Sequence, residues 1–595
     1  MIFGTDIGFL KRLSEKGVIS ATDLHSAEFL TSLERNLDPD EKMLFATVAA
    51  LVSNSISNGN ICLAAEEIPE FVKNNEETLK NFTKIDLKAI KDILEKSSCC
   101  TENPDAEIKP VVFLNGKIYF YKYWLYENSL AGKIIQISKD SGRYCDSAGK
   151  METIFSRLFD EKNYGQHNAA TNAVKHRFSL ITGGPGTGKT TIVAKILVGI
   201  LTLFPKERVM LAAPTGKASA RMTEALKNAV EKIRRIPNAA NSGILDKIST
   251  LEGTTIHRML EWRFGRFSRN RENPLSADLV IIDEAGMLDV DLFTSLIDAL
   301  GKETSLVLLG DKDQLASVGA GNVLSDICNA AEKNLISPEI TVKLEKSYRF
   351  DRDSAVGKLA KTINSKAVAL KKAREIIEIC NTEKDCGWIE IKNEKLPESI
   401  VSEAAERYGF LFRTESAPEK ILAGLNDFKV LCPSKENSFG VTELNRKIEE
   451  KLGKNSDFYL YDGLPVMVTQ NDYANNLMNG DCGVILEREG RKLAWFMVDN
   501  TPKSFSISSL KAFETVYAMT VHKSQGSEYG SVLIVLPEKE MPILTKEILY
   551  TAVTRAKKEV KIAAKESVLE YTLQKSTERN SGFEEALEKF LHFVS

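Results

Sequence analysis

Gly183-Gly184-Pro185-Gly186-Thr187-Gly188-Lys189-Thr190 lies between the apolar run FSLIT and the helix-like run TIVAKILVGILTLF, and no other stretch restricts the fold as strongly. A glycine-rich turn that joins a buried strand to a helix lets backbone N–H groups converge on phosphate oxygens at the positive end of that helix. The glycines let the backbone approach, Lys189 reaches the terminal phosphates, Thr190 offers a hydroxyl to Mg²⁺, and Thr191 carries the chain into the helix. The arrangement needs a strand whose carboxyl end opens into a helix, which is the repeating unit of a parallel sheet.

The rest of the chain repeats that unit. From residue 160 to about 350 the short apolar runs FSLIT, VMLAAPT, DLVIIDE and SLVLLGD alternate with helical stretches, and FKVLCP, VLIVLP and VKIAA follow after residue 428. This predicts an α/β fold with two parallel sheets, each covered on both faces. A β-rich block at about 455–510 interrupts the second set. Residues 1 to about 108 look helical, with Asp38-Pro39-Asp40-Glu41 placing a capping acid, a proline at the first helical position and a glutamate at the third. An Asn115-Gly116 turn then separates two strand-like halves of an aromatic stretch. The expected units are therefore 1–108, 109–350 and 351–595, in keeping with a length of 595 residues that exceeds what one core supports.

Composition excludes several classes. The runs LFATVAALV and ILVGILTLF are too short to span a membrane, and no basic stretch precedes an apolar one at the start, so a cytoplasmic protein is predicted. A net charge of −3 argues against coating nucleic acid by bulk electrostatics but leaves room for a narrow basic groove. The nine cysteines show no metal-ligand spacing, and Cys99-Cys100 is the one pair that invites a redox question.

Two further stretches complete a nucleotide site. In LVIIDEAGML, Asp283 ends a strand where its carboxylate can hold Mg²⁺, and Glu284 can polarise an attacking water. In LLGDKDQL, Gln314 follows a strand end where an amide can sense a γ-phosphate. The order of Gln166, the phosphate loop, LAAPTGKASARM, TTIHRML, DEAG, GDKDQL, KSYRF, VHKSQGSEY and YTAVTRAK resembles that of superfamily 1 helicases, and over the whole chain it resembles the RecD family, alpha subunits of exodeoxyribonuclease V.

That resemblance implies two RecA-like motor domains, a helical partner-docking domain, and an SH3-like barrel within the second motor. It implies an ATP- and Mg²⁺-dependent helicase moving 5′ to 3′ on single-stranded DNA at duplex ends, in a heterotrimer with RecB-like and RecC-like subunits, with any nuclease site in another subunit. Gln166 resembles the adenine-reading glutamine, and Arg349 and Arg555 resemble the arginines that reach the γ-phosphate from opposite sides. In VHKSQGSEY, Gln525, Gly526 and Glu528 fall to the nucleotide side and Thr520, His522 and Lys523 to the DNA side. Pro214, Thr215, Lys217, Thr255, His257 and Asn471 complete the implied DNA contacts. Gly286 departs from the family pattern, which has a small hydroxyl residue there. A stand-alone RecD-like helicase and a scaffold subunit with a regulatory ATP site remain as alternatives.

Overall fold

A six-stranded sheet carries the phosphate loop on one edge. The computed structural model describes residues 8–75, 85–160, 163–237, 240–348, 354–412, 417–455, 460–472, 474–498 and 501–594. The sheet runs in the order Thr341–Leu344, Phe178–Gly183, Ser305–Gly310, Leu279–Ile282, Val209–Ala213, Gly253–Thr255, with every neighbouring pair parallel. All six carboxyl ends therefore open on the same edge, where ligands of parallel sheets bind. Phe178–Gly183 is buried along its whole length, as is most of the helix Lys189–Leu203, so the loop between them hangs from two rigid anchors.

A second parallel sheet has the order Cys386–Glu390, Ala556–Ala564, Tyr529–Val535, Phe428–Cys432, Ala518–Thr520. The β-rich block is a five-stranded antiparallel sheet, ordered Thr501–Ser506, Arg491–Val498, Cys482–Arg488, Leu464–Val468, Phe513–Thr515. Its last strand lies beyond the expected limit near residue 510.

The N-terminal unit is helical, as its sequence suggests. Asp38 accepts from the Glu41 N–H at 2.9 Å while Glu41 accepts from the Asp38 N–H at 2.9 Å, and Pro39 opens the helix Pro39–Ser57. Reciprocal capping of this kind contributes about 1 kcal/mol. The Asn115-Gly116 hairpin does not start the next unit. Its strands Val111–Leu114 and Lys117–Phe120 pair with Cys100–Thr101 and Leu63–Ala64, so a boundary at 108 would cut a four-stranded sheet. Cys99 and Cys100 are both buried there, and burial pushes the Cys100 thiol up to about 12, away from thiolate chemistry.

The last segment corrects the expected third unit as well. After the helix Glu566–Gln574 the chain crosses back, and the helix Phe583–Val594 packs on Tyr121–Lys139 beside the first sheet. Phe583 and Leu587 enter the core of that sheet, each contributing about 1.5–3 kcal/mol of burial. Hydrophobicity of this helix was visible in the sequence; its destination was not. Among the described residues no helix is long and apolar enough to cross a membrane.

Candidate nucleotide cleft and strand-binding surface

The phosphate loop reaches its shape through two glycines in the left-handed region, Gly186 at φ 77° and Gly188 at φ 84°. A Cβ on Gly188 would lie 2.5 Å from Gln166 Nε2, so a side chain there would be strained and would displace the glutamine. Gln166 is buried on the helix Tyr164–Lys175 and donates Nε2 to the Thr187 carbonyl at 2.9 Å. It braces the loop from behind and is not among the residues that line the cleft. Lys189 Nζ donates to the Gly183 carbonyl at 2.5 Å and to Gly184 at 3.3 Å, and Thr187 Oγ1 donates to Gly184 at 2.9 Å.

The cleft beside this loop has a volume of about 410 Å³. Pro185 to Thr191, Asp283, Glu284, Gln314, Gly526, Glu528 and Arg555 all line it, so residues from both sheets meet there. Gly183 and Gly184 stand just behind, held by Lys189. Arg349 lies outside the described residues; its neighbour Tyr348 lines the cleft and donates its N–H to Gly186 at 2.7 Å. Asp283 follows the strand Leu279–Ile282, and burial together with the neighbouring Glu284 charge pushes its carboxyl up to about 6 against the pull of Lys189. Glu284 turns sharply at φ 53° and donates its N–H to Asp283 Oδ1 at 2.8 Å. At Gly286 a Cβ would meet the Asp311 carbonyl and Leu324 at 3.4 Å, so a small side chain fits this turn without displacing either.

Hydrogen bonds cross between the two parallel sheets, with two arginines at their centre. Arg555, from the second sheet, is buried; it donates Nε to Thr551 at 3.2 Å, Nη1 to Ser527 at 3.1 Å and Nη2 to Gln314 Oε1 at 2.9 Å. Gln314 in turn donates Nε2 to Asp311 Oδ2 at 3.0 Å, and Tyr550 donates its hydroxyl to the same oxygen at 3.2 Å. The second arginine is Arg221, on the helix Gly216–Arg234, which donates Nη1 to the Gly526 carbonyl at 2.6 Å and pairs with Glu528. The loop VHKSQG therefore touches the first sheet through its glycine, and Gln525 Nε2 adds a bond to the Leu315 carbonyl at 3.4 Å.

The residues assigned to a nucleic-acid strand lie at or after strand ends of both parallel sheets and in a turn of the antiparallel one. Thr215 and Thr255 each cap a helix at a strand end, accepting from the N–H of Ala218 and Arg258 at 3.2 Å. Pro214 precedes the first of these caps, and Lys217 donates Nζ to the Gly480 carbonyl at 3.0 Å, joining the first sheet to the antiparallel one. Asn471 holds the same turn, accepting from the Asn479 N–H at 2.9 Å. Thr520 ends a strand of the second sheet, and Lys523 pairs with Glu514 at 2.6 Å. His522 is half-buried within the field of Arg579, and burial lowers its pKa below the ordinary value. His257 is exposed and packs against Trp262 and Phe267 at ring distances of 6.1 and 5.6 Å.

Family models match in three places: an AAA domain over residues 166–320, a UvrD-like helicase C-terminal domain over 515–563, and the N-terminal domain of RecBCD enzyme subunit RecD over 15–119. RecBCD enzyme subunit RecD of Haemophilus influenzae is 30% identical over 98% of this chain and 99% of its own length. The chain belongs to the RecD family. A second RecD, from Mycolicibacterium smegmatis, is 30% identical over 96% of the chain and 98% of that protein. The ATP-dependent RecD2 DNA helicase of Deinococcus radiodurans is 29% identical over 64% of the chain and 46% of its own length.

Several residues that shape the site of this RecD-family chain escaped the sequence reading. Arg221 lies within the stretch LAAPTGKASARM, two helical turns beyond its cap, and Tyr550 and Thr551 lie within YTAVTRAK; in each case the motif was legible and the partner was not. The hairpin Trp262–Phe267 was also missed; the alternation of aromatic and basic residues about Gly265 is the signal that marks it. It leaves Trp262 and Phe264 exposed beside His257, with Arg263 and Arg266 flanking them. Aromatic faces next to guanidinium groups suit the stacking of unpaired bases.

Proposed function

We propose that this chain is the ATP-driven, 5′ to 3′ DNA motor of a RecBCD-type enzyme, with RecA-like motor domains, an SH3-like antiparallel insert and an N-terminal unit that docks on RecB-like and RecC-like partners at duplex ends. The observation that carries the motor reading is the bond from Arg555 of the second sheet to Gln314 of the first, at 2.9 Å across the cleft beneath the phosphate loop. Closing the cleft brings a buried guanidinium to the place where charge develops on the transferring phosphoryl group, an effect worth about 10³–10⁵ in rate for arginines so placed. Opening it breaks the Gln314 and Arg221 links together, and that motion moves one strand-binding surface against the other.

Thr190 and Asp283 supply a hydroxyl and a buried carboxylate, hard oxygen donors that fit a Mg²⁺ ion completing its shell with phosphate oxygens and water. Among the described residues no cluster of three His, Cys, Asp or Glu side chains could hold a metal without such help. The ion would supply charge neutralisation at the β- and γ-phosphates. Lys189 binds the terminal phosphates by exchanging its loop carbonyls for them, and Glu284 orients the attacking water. The match over nearly the full length of RecD subunits, against under half of the RecD2 helicase, favours the subunit reading over the stand-alone one.

Single-strand-stimulated ATP hydrolysis by the wild-type chain, Lys189→Gln and Arg555→Ala tests the motor. Lys189→Gln abolishes turnover with the fold intact, and Arg555→Ala lowers kcat far more than it raises KM, because the lost contact belongs to the transition state. Retained turnover in Lys189→Gln refutes it.

A further inference from the structure

Within six residues, Thr577 to Gly582, the returning C-terminal strap touches every unit of the molecule. Thr577 donates to Glu547 of the second motor, from N at 2.9 Å and Oγ1 at 3.1 Å. Asn580 donates its N–H to Asn60 at 2.8 Å and Nδ2 to Glu67 at 2.7 Å, and accepts at its carbonyl from the Ile61 N–H at 2.9 Å, all in the N-terminal unit. Ser581 and Gly582 donate to Glu127 on the helix Tyr121–Lys139 at 2.8 and 3.0 Å.

Arg579 sits at the centre of this junction. Its Nη1 donates to Ser317 Oγ at 3.1 Å and to the carbonyls of Gly319 and Gly321 at 2.7 Å, while Nη2 donates to the Ser317 carbonyl at 2.5 Å. One planar guanidinium thus gathers a whole loop, which a point charge cannot do. The far side of that loop belongs to the N-terminal unit, since the Gly321 N–H donates to the Gly59 carbonyl at 2.8 Å. Gly59 stands at φ 92°, and a Cβ there would lie 2.7 Å from Arg579 Cζ, so only glycine leaves the guanidinium in place.

The near end of the loop is the nucleotide cleft. Gln314 accepts from Arg555, and Leu315 is fixed through its N–H to Thr551 Oγ1 at 3.0 Å. Two of the second motor's elements therefore grip residues 314 and 315, while the strap and the N-terminal unit grip 317 to 321. A rigid segment this short, held at both ends, passes a displacement at one end to the other.

We propose that Arg579 is a positioning residue that couples the N-terminal unit to the nucleotide cleft, by holding the loop from Gln314 to Gly321 where Gln314 can meet Arg555. A shift of the N-terminal unit, such as docking of a protein partner on it would impose, changes turnover through this loop without touching nucleotide. The turnover arm of the test rests on the motor reading above.

Full-length R579A, R579K, G59A and the double variant G59A/R579A are compared with wild type by hydrogen exchange of the 315–321 amides and by single-strand-stimulated ATPase. Nucleotide binding should protect the loop amides in wild type, and R579A and G59A should lose about tenfold of that protection. In turnover, kcat should fall about tenfold in both with KM for ATP within about twofold, R579K should lie between, and the double variant should be no worse than R579A. Unchanged loop exchange overturns the proposal. So does a parallel fall of kcat, ATP affinity and Tm, which marks a merely structural role, and so does an additive double variant. A wild-type chain without stimulated turnover sinks the motor reading alone; loop protection by nucleotide, present in wild type and lost in R579A and G59A, still decides the coupling.

Discussion

Replacing Arg221 with alanine removes a bond that ties the two sheets together next to the phosphate loop. Its Nη1 lies 2.6 Å from the Gly526 carbonyl and its Nη2 pairs with Glu528, with the arginine side chain 37% exposed and the glutamate 12%. A hydrogen bond to a charged group contributes about 1.5–3 kcal/mol, and a fully exposed ion pair about 0–1 kcal/mol. Arg221 lies between these limits. Its removal leaves Glu528 beside Lys557 at 3.4 Å, so no buried charge is stranded. The loss should be about 1–2 kcal/mol, a factor of about 5–30 in the population of the closed cleft. Because hydrolysis needs Arg555 at the phosphates, kcat should fall by up to that factor, while KM for ATP changes by less than about threefold. The assay is DNA-saturated ATP hydrolysis by wild type, Arg221→Ala, Glu528→Gln and the double variant, at low and high salt. The cycle should give a coupling above about 0.5 kcal/mol, shrinking as salt screens the pair. Additive effects within about 0.3 kcal/mol would refute the tie. A large rise in KM with unchanged kcat would make Arg221 a ground-state phosphate ligand instead.

Burial pushes the Glu127 carboxyl up to about 8 from an ordinary 4.5, against hydrogen bonds from Ser581 and Gly582. The unfolded chain then releases this proton first, so stability falls as pH rises from 4.5 to 8 and levels off above; Glu127→Gln should raise Tm at pH 8.5, with the gain vanishing toward pH 4.5 in thermal scans. Phe264→Ala should weaken single-strand affinity by about 1–3 kcal/mol without altering its salt slope, because a stacked base is lost and no phosphate contact is; an unchanged affinity in fluorescence titration removes the hairpin from the strand path. Lys523→Ala should lower the stimulation of ATPase by DNA while leaving the basal rate, read from turnover against single-strand concentration. His522→Ala, half-buried near Arg579, should instead perturb turnover with and without DNA.

The local chemistry and the sheets that carry it were legible along the chain. A phosphate loop needs glycines at fixed spacing between a strand and a helix, an acidic pair needs a strand end, and the capping box and Asn-Gly turn are satisfied within a few residues, so each was readable from neighbours along the chain. The strands FKVLCP, VLIVLP and VKIAA of the second sheet were legible for the same reason. Which of these pieces meet is settled by packing between distant parts of the chain. Gln166 could be recognised, but its role as a brace behind Thr187 depends on how a helix packs against the loop. His522 read as a strand contact from its motif, and only the fold shows it half-buried within the field of Arg579. The hairpin at 111–120 completes a sheet with Leu63–Ala64 about fifty residues earlier and with nearby Cys100–Thr101, and the last helix leaves the second motor to fill the core of the first, because apolar periodicity says that a face will be buried and nothing about the partner that buries it. Arg221, Arg555 and Arg579 act through carbonyls and amides hundreds of residues away, and a backbone carbonyl has no signature in a sequence.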